Sequence, residues 1–372
     1  MSWRRARLTR IALFATVVAC VLPTENGRAS NVVRGAPAAW AGLAEQGAAA
    51  ARKRWFDERQ GWYRERLGRR SPASLWGVVP LFEALSGSAA AAPTSRNLRA
   101  LHSFARGARR YWNSAARGYG PYPAGSRQEA KVWFDDNGWW GMAFANAYQA
   151  TGEHRYLTDA RRAFRFIARQ GWASDGGLWW NTARTFKAGE SLASASFLAA
   201  QLYRLTGKDH YRAAADKFVA WGDEWLWNEQ AGLYARSDRD PAPLSYVEGP
   251  LIAAHAVLCL TTNDLRRCQR AETLAENARA WFGEDLHWAP QYDAILLRGL
   301  LLLFTVDHQP KWYELAERNA VRAASNAKNQ TGLYLLGWDG RPIRERWTRP
   351  GMLQTHASTL SLFAWLAATP PP

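Results

Sequence analysis

Two adjacent acids stand in the run Trp133-Phe134-Asp135-Asp136-Asn137-Gly138-Trp139-Trp140, immediately ahead of a strongly apolar stretch. A helix start has free N–H groups, and either Asp136 or Asn137 could accept one as a cap. The second acid is then a charge among aromatic rings, which costs free energy unless it is used. Consecutive Cα atoms lie about 3.8 Å apart. At a loop-to-helix junction both side chains can therefore enter one cavity with their carboxyls about 5 Å apart, as in retaining glycoside hydrolysis. Inverting hydrolysis needs roughly 6.5–9.5 Å, which neighbours in sequence reach less easily. Aromatic surroundings raise a carboxyl's pKa by desolvation, and their faces can stack on sugar rings. A helix N-terminus favours an anion, so one acid can stay ionised beside a protonated partner.

Further candidates flank this pair. Trp139 and Trp140 are neighbours on a helix and face different ways, so one belongs to the core and Trp139 is placed nearer the cleft. Trp133 precedes the acids, while Trp179 and Trp180 sit on the glycine-rich segment Gly176-Gly177-Leu178-Trp179-Trp180-Asn181 as candidate sugar platforms. Trp76, on an apolar helix, suits core or ligand equally. Glu248 and Asp293 each precede a buried helix and can either cap it or read a sugar hydroxyl. His255, in an apolar stretch, reads as a core histidine.

These side chains need a scaffold, and the chain's periodicity supplies one. Ala147-Tyr148-Gln149-Ala150-Thr151-Gly152 is echoed by Gln201-Leu202-Tyr203-Arg204-Leu205-Thr206-Gly207, and Gly177-Leu178-Trp179 by Gly232-Leu233-Tyr234 at the same offset. Gly332-Leu333-Tyr334 continues the theme. Nearly all-apolar segments, which read as buried helices, run through 139–150, 192–205, 250–260, 295–305 and 353–367. Between them lie segments with one charged face, at 155–170, 211–227, 265–281 and 311–326. With 39–59, 75–85 and 97–111 this makes about twelve helices in six hairpins. Gly152 and Gly207 suit left-handed helix ends, giving tight links at one end. The links at the other end are long and aromatic: 114–134, 171–185, 228–246 and 330–349. Buried helices alternating with half-exposed ones predict an all-α (α/α)₆ toroid; an open α-solenoid would keep a polar groove along its inner helices. The acid pair then lies on the face that carries the long loops.

Composition narrows the function. The 372 residues carry 48 Lys and Arg against 32 Asp and Glu, and 21 Trp. Seven scattered His and three Cys have no zinc spacing, and no phosphate-binding glycine loop opens a helix. No metal or cofactor is therefore expected. Nucleic acid is excluded as a partner, because no recognition motif is present and the basic residues form no single stripe. The charge suits a polysaccharide or oligosaccharide, anionic ones included. Arg4, Arg5, Arg7 and Arg10 precede an apolar run from Ile11 to Leu22, which predicts export by a leader within residues 1–30. The run Val17-Val18-Ala19-Cys20 resembles a lipobox, so Cys20 is a candidate lipidation site, the alternative being an ordinary cleaved signal. Residues 31–372 then form one domain, expected to act as a monomer and to touch a membrane only through such an anchor. Cys259 and Cys268 flank a turn and are either a disulfide or two buried thiols.

Phe134-Asp135-Asp136-Asn137-Gly138-Trp139-Trp140, continuing through Ala147-Tyr148, Thr151-Gly152 and Tyr156-Leu157, resembles the motif of glycoside hydrolase family 76, the α-1,6-mannanases. The likeness spans roughly residues 76–365. It implies an (α/α)₆ toroid with Asp135 as nucleophile and Asp136 as acid/base. It adds Lys187, Tyr246, Glu248 and Arg298 as residues of the substrate site. The chain departs from the family where Lys187-Ala188-Gly189-Glu190-Ser191-Leu192 stands for the usual Lys-Asn-Ala-Ile-Ser-Asn. It departs again where Tyr246-Val247-Glu248-Gly249 stands for Tyr-Asn-Gln-Gly. Acids thus appear at Glu190 and Glu248, and the pocket is expected to differ around the sugar. The expectation is an exported, retaining, endo-acting glycosidase of an α-mannan or related polysaccharide. A transglycosylase with the same site and a non-catalytic glycan-binding toroid are the alternatives.

Overall fold

The computed structural model describes residues 36–126 and 131–371. The leader and Cys20 lie outside the described residues. Twelve α-helices follow one another: α1 (Pro37–Trp55), α2 (Leu75–Ala91), α3 (Ser95–Ala108), α4 (Phe134–Thr151), α5 (His154–Phe166), α6 (Gly189–Thr206), α7 (Asp209–Trp225), α8 (Ser245–Thr262), α9 (Leu265–Phe282), α10 (Pro290–Asp307), α11 (Pro310–Asn326) and α12 (Leu353–Ala368).

The even-numbered helices form the inner ring. Each packs on the next, and α12 closes onto α2. Their burial matches that position: every residue of α4 from Phe134 to Ala147 is buried. The odd-numbered helices form the outer ring and bury one stripe. In α5 that stripe is Tyr156, Leu157, Ala160, Ala163 and Phe164, at the spacing of one helical face. The molecule is an (α/α)₆ toroid.

Small residues let the inner helices approach closely. At Gly299 of α10 an added Cβ would lie 2.2 Å from the carbonyl oxygen of Gly249 on α8, and at Gly138 of α4 it would lie 2.2 Å from Ser194 Oγ on α6. The tight links end as expected, with Gly152 and Gly207 left-handed, and Asn263 and His308 take the same conformation after α8 and α10. Asp264 caps α9 by accepting the N–H of Arg266 at 3.0 Å. Across that turn Cys259 and Cys268 form a disulfide.

The long links contain short antiparallel strands. β1 (Phe56–Asp57) pairs with β2 (Trp62–Tyr63), and β3 (Trp112–Asn113) with β4 (Gly118–Tyr119). β5 (Trp227–Asn228), β6 (Leu233–Ser237) and β7 (Asp240–Pro243) form a three-stranded sheet in that order. These links surround the N-terminal ends of the inner helices, the mouth of the ring. Two boundaries depart from expectation. α1 stops at Trp55 because Phe56 enters β1, and α4, α6, α8 and α10 start three to five residues earlier than their apolar runs suggest, whereas α2 and α12 start where theirs do.

Candidate active site

Asp135 and Asp136 lie inside the first turn of α4, not in the loop before it. Asp135, Trp139, Met142 and Asn146 follow spacings of four, three and four, which is one helical face. The last three line a cavity along the ring axis, so Asp135 heads that stripe at the mouth. All six inner helices contribute to the cavity: Trp76, Trp139, Phe197, Pro250, Arg298 and Trp365 represent one helix each.

Capping does not account for either acid. The N-cap of α4 is Trp133, with no side-chain cap bond. Asn137 instead accepts the N–H of Tyr119 at 2.7 Å and donates to the carbonyls of Tyr119 and Trp133. It ties β4 to the helix, a task in which neither acid takes part. Both are buried, and neither forms an ion pair among the described residues.

Their electrostatics differ. Burial and the nearby charge of Glu190 push Asp135 up to about 7. The N–H groups of Asp136 and of Asp135 itself, with the Trp180 side chain, hold it from rising further. Asp136 has no such donors. Burial and the charge of Asp135 raise it well above the ordinary carboxylate range. The arrangement favours one carboxylate and one carboxylic acid side by side, the pattern in which two acids take different roles.

Glu190 stands in the first turn of α6 and is 1% exposed. Its Oε1 accepts from Arg236 Nε and from Tyr246 Oη, both at 3.1 Å. Tyr246 also feels the charge of Asp135, which puts its hydroxyl at the same site. Its ring stacks on Tyr292 at 4.8 Å, and Tyr292 meets the exposed Trp288 in a tilted contact at 4.2 Å. Trp76 meets Tyr246 and Tyr292 edge-on and lies 6.2 Å from Trp139. Trp180 belongs to this wall, held by its carbonyl accepting the N–H of Phe134, with Trp133 beside it at 6.3 Å. Tyr122 faces Asp136 from the preceding loop. As expected for the Trp139–Trp140 pair, Trp139 lines the cavity while Trp140 is fully buried against Tyr111.

Other candidates lie elsewhere. Glu248 is fully buried, and its Oε1 accepts the N–H of Tyr234 at 2.9 Å, so it anchors β6 instead of facing the cavity. Asp293 is turned to the N–H groups of Trp288 and Ala289, and burial lifts it to about 8. Lys187 pairs with Asp175 at 2.8 Å beside Trp179 and Trp221, pinning the Gly176-Gly177 turn. Arg298 lies at the far end of the axial cavity, 3.5 Å over the Trp365 ring, where burial lowers it to about 9 despite Glu83 nearby. His255 is buried. Among the described residues no group of three or more His, Cys, Asp and Glu could hold a metal ion. Arg236 and Tyr122 are members of the site that sequence reasoning passed over, and neither gave a signal, whereas Tyr292 was read with Asp293 at its helix start.

A ring of six helical hairpins with two buried acids at its mouth and an aromatic wall beside them is the architecture of a carbohydrate-active toroid. The model of glycosyl hydrolase family 76 matches residues 110–365, and the chain belongs to that family. Comparison with curated protein sequences gives no match. Among solved structures, an α-mannanase of the family from Bacteroides thetaiotaomicron is 19% identical, covering 91% of this chain and 96% of its own, with a TM-score of 0.79. A mannosidase of the family from the same species is 20% identical, covering 88% and 98%, with a TM-score of 0.77. An inactive α-1,6-mannanase variant from Salegentibacter, in complex with α-1,6-mannotriose, is 19% identical, covering 89% and 100%, with a TM-score of 0.75. At these identities the likeness is one of fold.

Proposed function

We propose that this chain is an exported, retaining, endo-acting hydrolase of α-1,6-linked mannan or a closely related polysaccharide. Asp135 is the nucleophile and Asp136 the acid/base. The observation that carries this reading is the adjacent buried pair in the first turn of α4, with Asp135 raised to about 7 and Asp136 raised well above the ordinary carboxylate range. The Salegentibacter enzyme adds support, since its inactive form carries asparagine in place of two neighbouring aspartates. Its bound mannotriose supports the choice of sugar.

In the first half-reaction a carboxylate oxygen of Asp135 bonds to the anomeric carbon as the glycosidic C–O bond breaks. Asp136 gives its proton to the leaving oxygen. In the second half Asp136, now ionised, takes a proton from water. The hydroxide oxygen bonds to the anomeric carbon, and Asp135 is released. Trp76, Trp139, Tyr246 and Tyr292 form the wall against which the sugar packs, and Trp288 extends that wall outward for a longer chain.

Export is supported by the Arg-rich leader and by the Cys259–Cys268 disulfide, which suits an oxidising compartment. No helix among the described residues is long and apolar enough to cross a membrane. Cell fractionation tests export directly. The activity is tested on linkage-defined mannooligosaccharides with mass analysis of products. Asp135→Asn and Asp136→Asn should each lose about 10³-fold or more in kcat. Full activity in both variants would overturn the assignment, and binding without turnover by the unmodified chain would make it a glycan-binding toroid.

A further inference from the structure

Glu190 is a third acid at this site, in the first turn of α6. The fold brings it there through two close contacts. α4 and α6 approach at Gly138 and Ser194, where a Cβ on the glycine would lie 2.2 Å from the serine hydroxyl. Asp135 is three residues before Gly138 and Glu190 four before Ser194, so the first turns of the two helices stand side by side. At Gly189 an added Cβ would lie 2.4 Å from the carbonyl oxygen of Ala235, so only glycine lets β6 come close enough for Arg236 to reach Glu190. One oxygen of Glu190 is held by Arg236 and Tyr246, while Oε2 is buried with no hydrogen-bond partner. Asp135 Oδ1 is likewise buried and unpartnered.

The charged and titratable groups facing Glu190 are Asp135 on α4, Arg236 on β6 and Tyr246 on α8. Arg236 also reaches Asp240 of β7 at 3.5 Å, so its single positive charge is shared. Glu190 therefore stands between the Asp135 carboxyl and a single, shared cation.

We infer that Glu190 is a positioning residue: fixed by Arg236 and Tyr246, it is a negative charge held beside Asp135 that opposes the charge on that carboxyl. The inference rests on the roles proposed for the acid pair. Burial raises the Glu190 carboxyl itself, the bonds from Arg236 and Tyr246 favour its charged form, and a charge in so dry a site acts strongly on a neighbour. The burial-raised Asp135 also carries a contribution from Glu190.

The test compares the unmodified chain with Glu190→Gln and Glu190→Asp by two readouts. The first is the pH dependence of kcat/KM on an α-1,6-mannooligosaccharide. The second needs no substrate: the carboxyl ¹³C titration of Asp135 in aspartate-labelled protein, its signal identified by its loss in Asp135→Asn. In Glu190→Gln the acid limb and the Asp135 midpoint should both move down by about one pH unit. Glu190→Asp, which keeps the charge, should move both back toward the unmodified chain. A purely structural Glu190 would lower stability or kcat without moving either. An unmoved Asp135 midpoint in Glu190→Gln, or a rise, overturns the inference. Should the unmodified chain leave the oligosaccharide uncut, the substrate assignment fails, and the titration still decides the role of Glu190.

Discussion

Asp293 is a carboxyl that folding forces to keep its proton. It is 3% exposed in the first turn of α10, and burial raises it from 3.8 to about 8, even with the N–H groups of Trp288 and Ala289 turned toward it. Between those values the native state holds a proton that the unfolded chain has released. The native state therefore binds more protons, and stability falls as pH rises through the window. Asp293→Asn removes the titration and keeps a carbonyl oxygen for the same N–H groups. One pH unit corresponds to about 1.4 kcal/mol. Going from pH 5 to pH 7, the variant should gain on the unmodified chain by about 3 kcal/mol, a ceiling that local relaxation reduces. In a chain of this size that is a relative shift in Tm of roughly 4 °C. Asp135, Asp136, Glu83, Glu190 and Glu248 titrate in both proteins, so their effects cancel in the difference. Denaturant unfolding of both proteins at pH 5, 6 and 7 measures it. If the two stability curves run parallel, or the variant loses ground as pH rises, Asp293 is ionised in the fold and the reasoning fails.

Two further substitutions test how the scaffold holds the site. Glu248→Ala should destabilise the chain by about 1–3 kcal/mol, read as a lower denaturation midpoint, because it strands the buried N–H of Tyr234; Glu248→Gln, which keeps an acceptor, should lose less. Gly299→Ala should cost about 1–3 kcal/mol in the same measurement, since its Cβ meets the Gly249 backbone, which no side-chain rotation relieves.

The ring was legible in the sequence because its two layers have different surfaces to satisfy. Inner helices are apolar all round, outer helices carry one wet stripe, and residues such as Gly152 mark the tight turns by their left-handed backbone. The starts of α2 and α12 were legible too, but those of the helices that open on an acid were not. Asp135, Asp136, Glu190, Glu248 and Asp293 all occupy first turns of inner helices, where their polarity interrupts the apolar pattern that signals a buried helix. Each is reconciled with burial by a partner far away in sequence or by a retained proton, and a linear reading reveals neither.

The same limit explains why the acids at the mouth could not be sorted by type. Asn137, Glu248 and His356 do one job: each accepts the backbone N–H of an aromatic residue, Tyr119, Tyr234 and Tyr334 respectively, in the loop leading to its own helix. An amide, an acid and an imidazole are interchangeable there because the loop asks only for a lone pair at a fixed height. Glu248 therefore looks like a site acid in sequence and is a loop anchor in the fold. Asp135 and Asp136 precede an anchor of that kind, Asn137, which leaves them no backbone group of a distant loop to hold. What separates the acids proposed to work from a structural one in this ring is thus their register against the anchor position, a property of three-dimensional phase that residue identity does not carry.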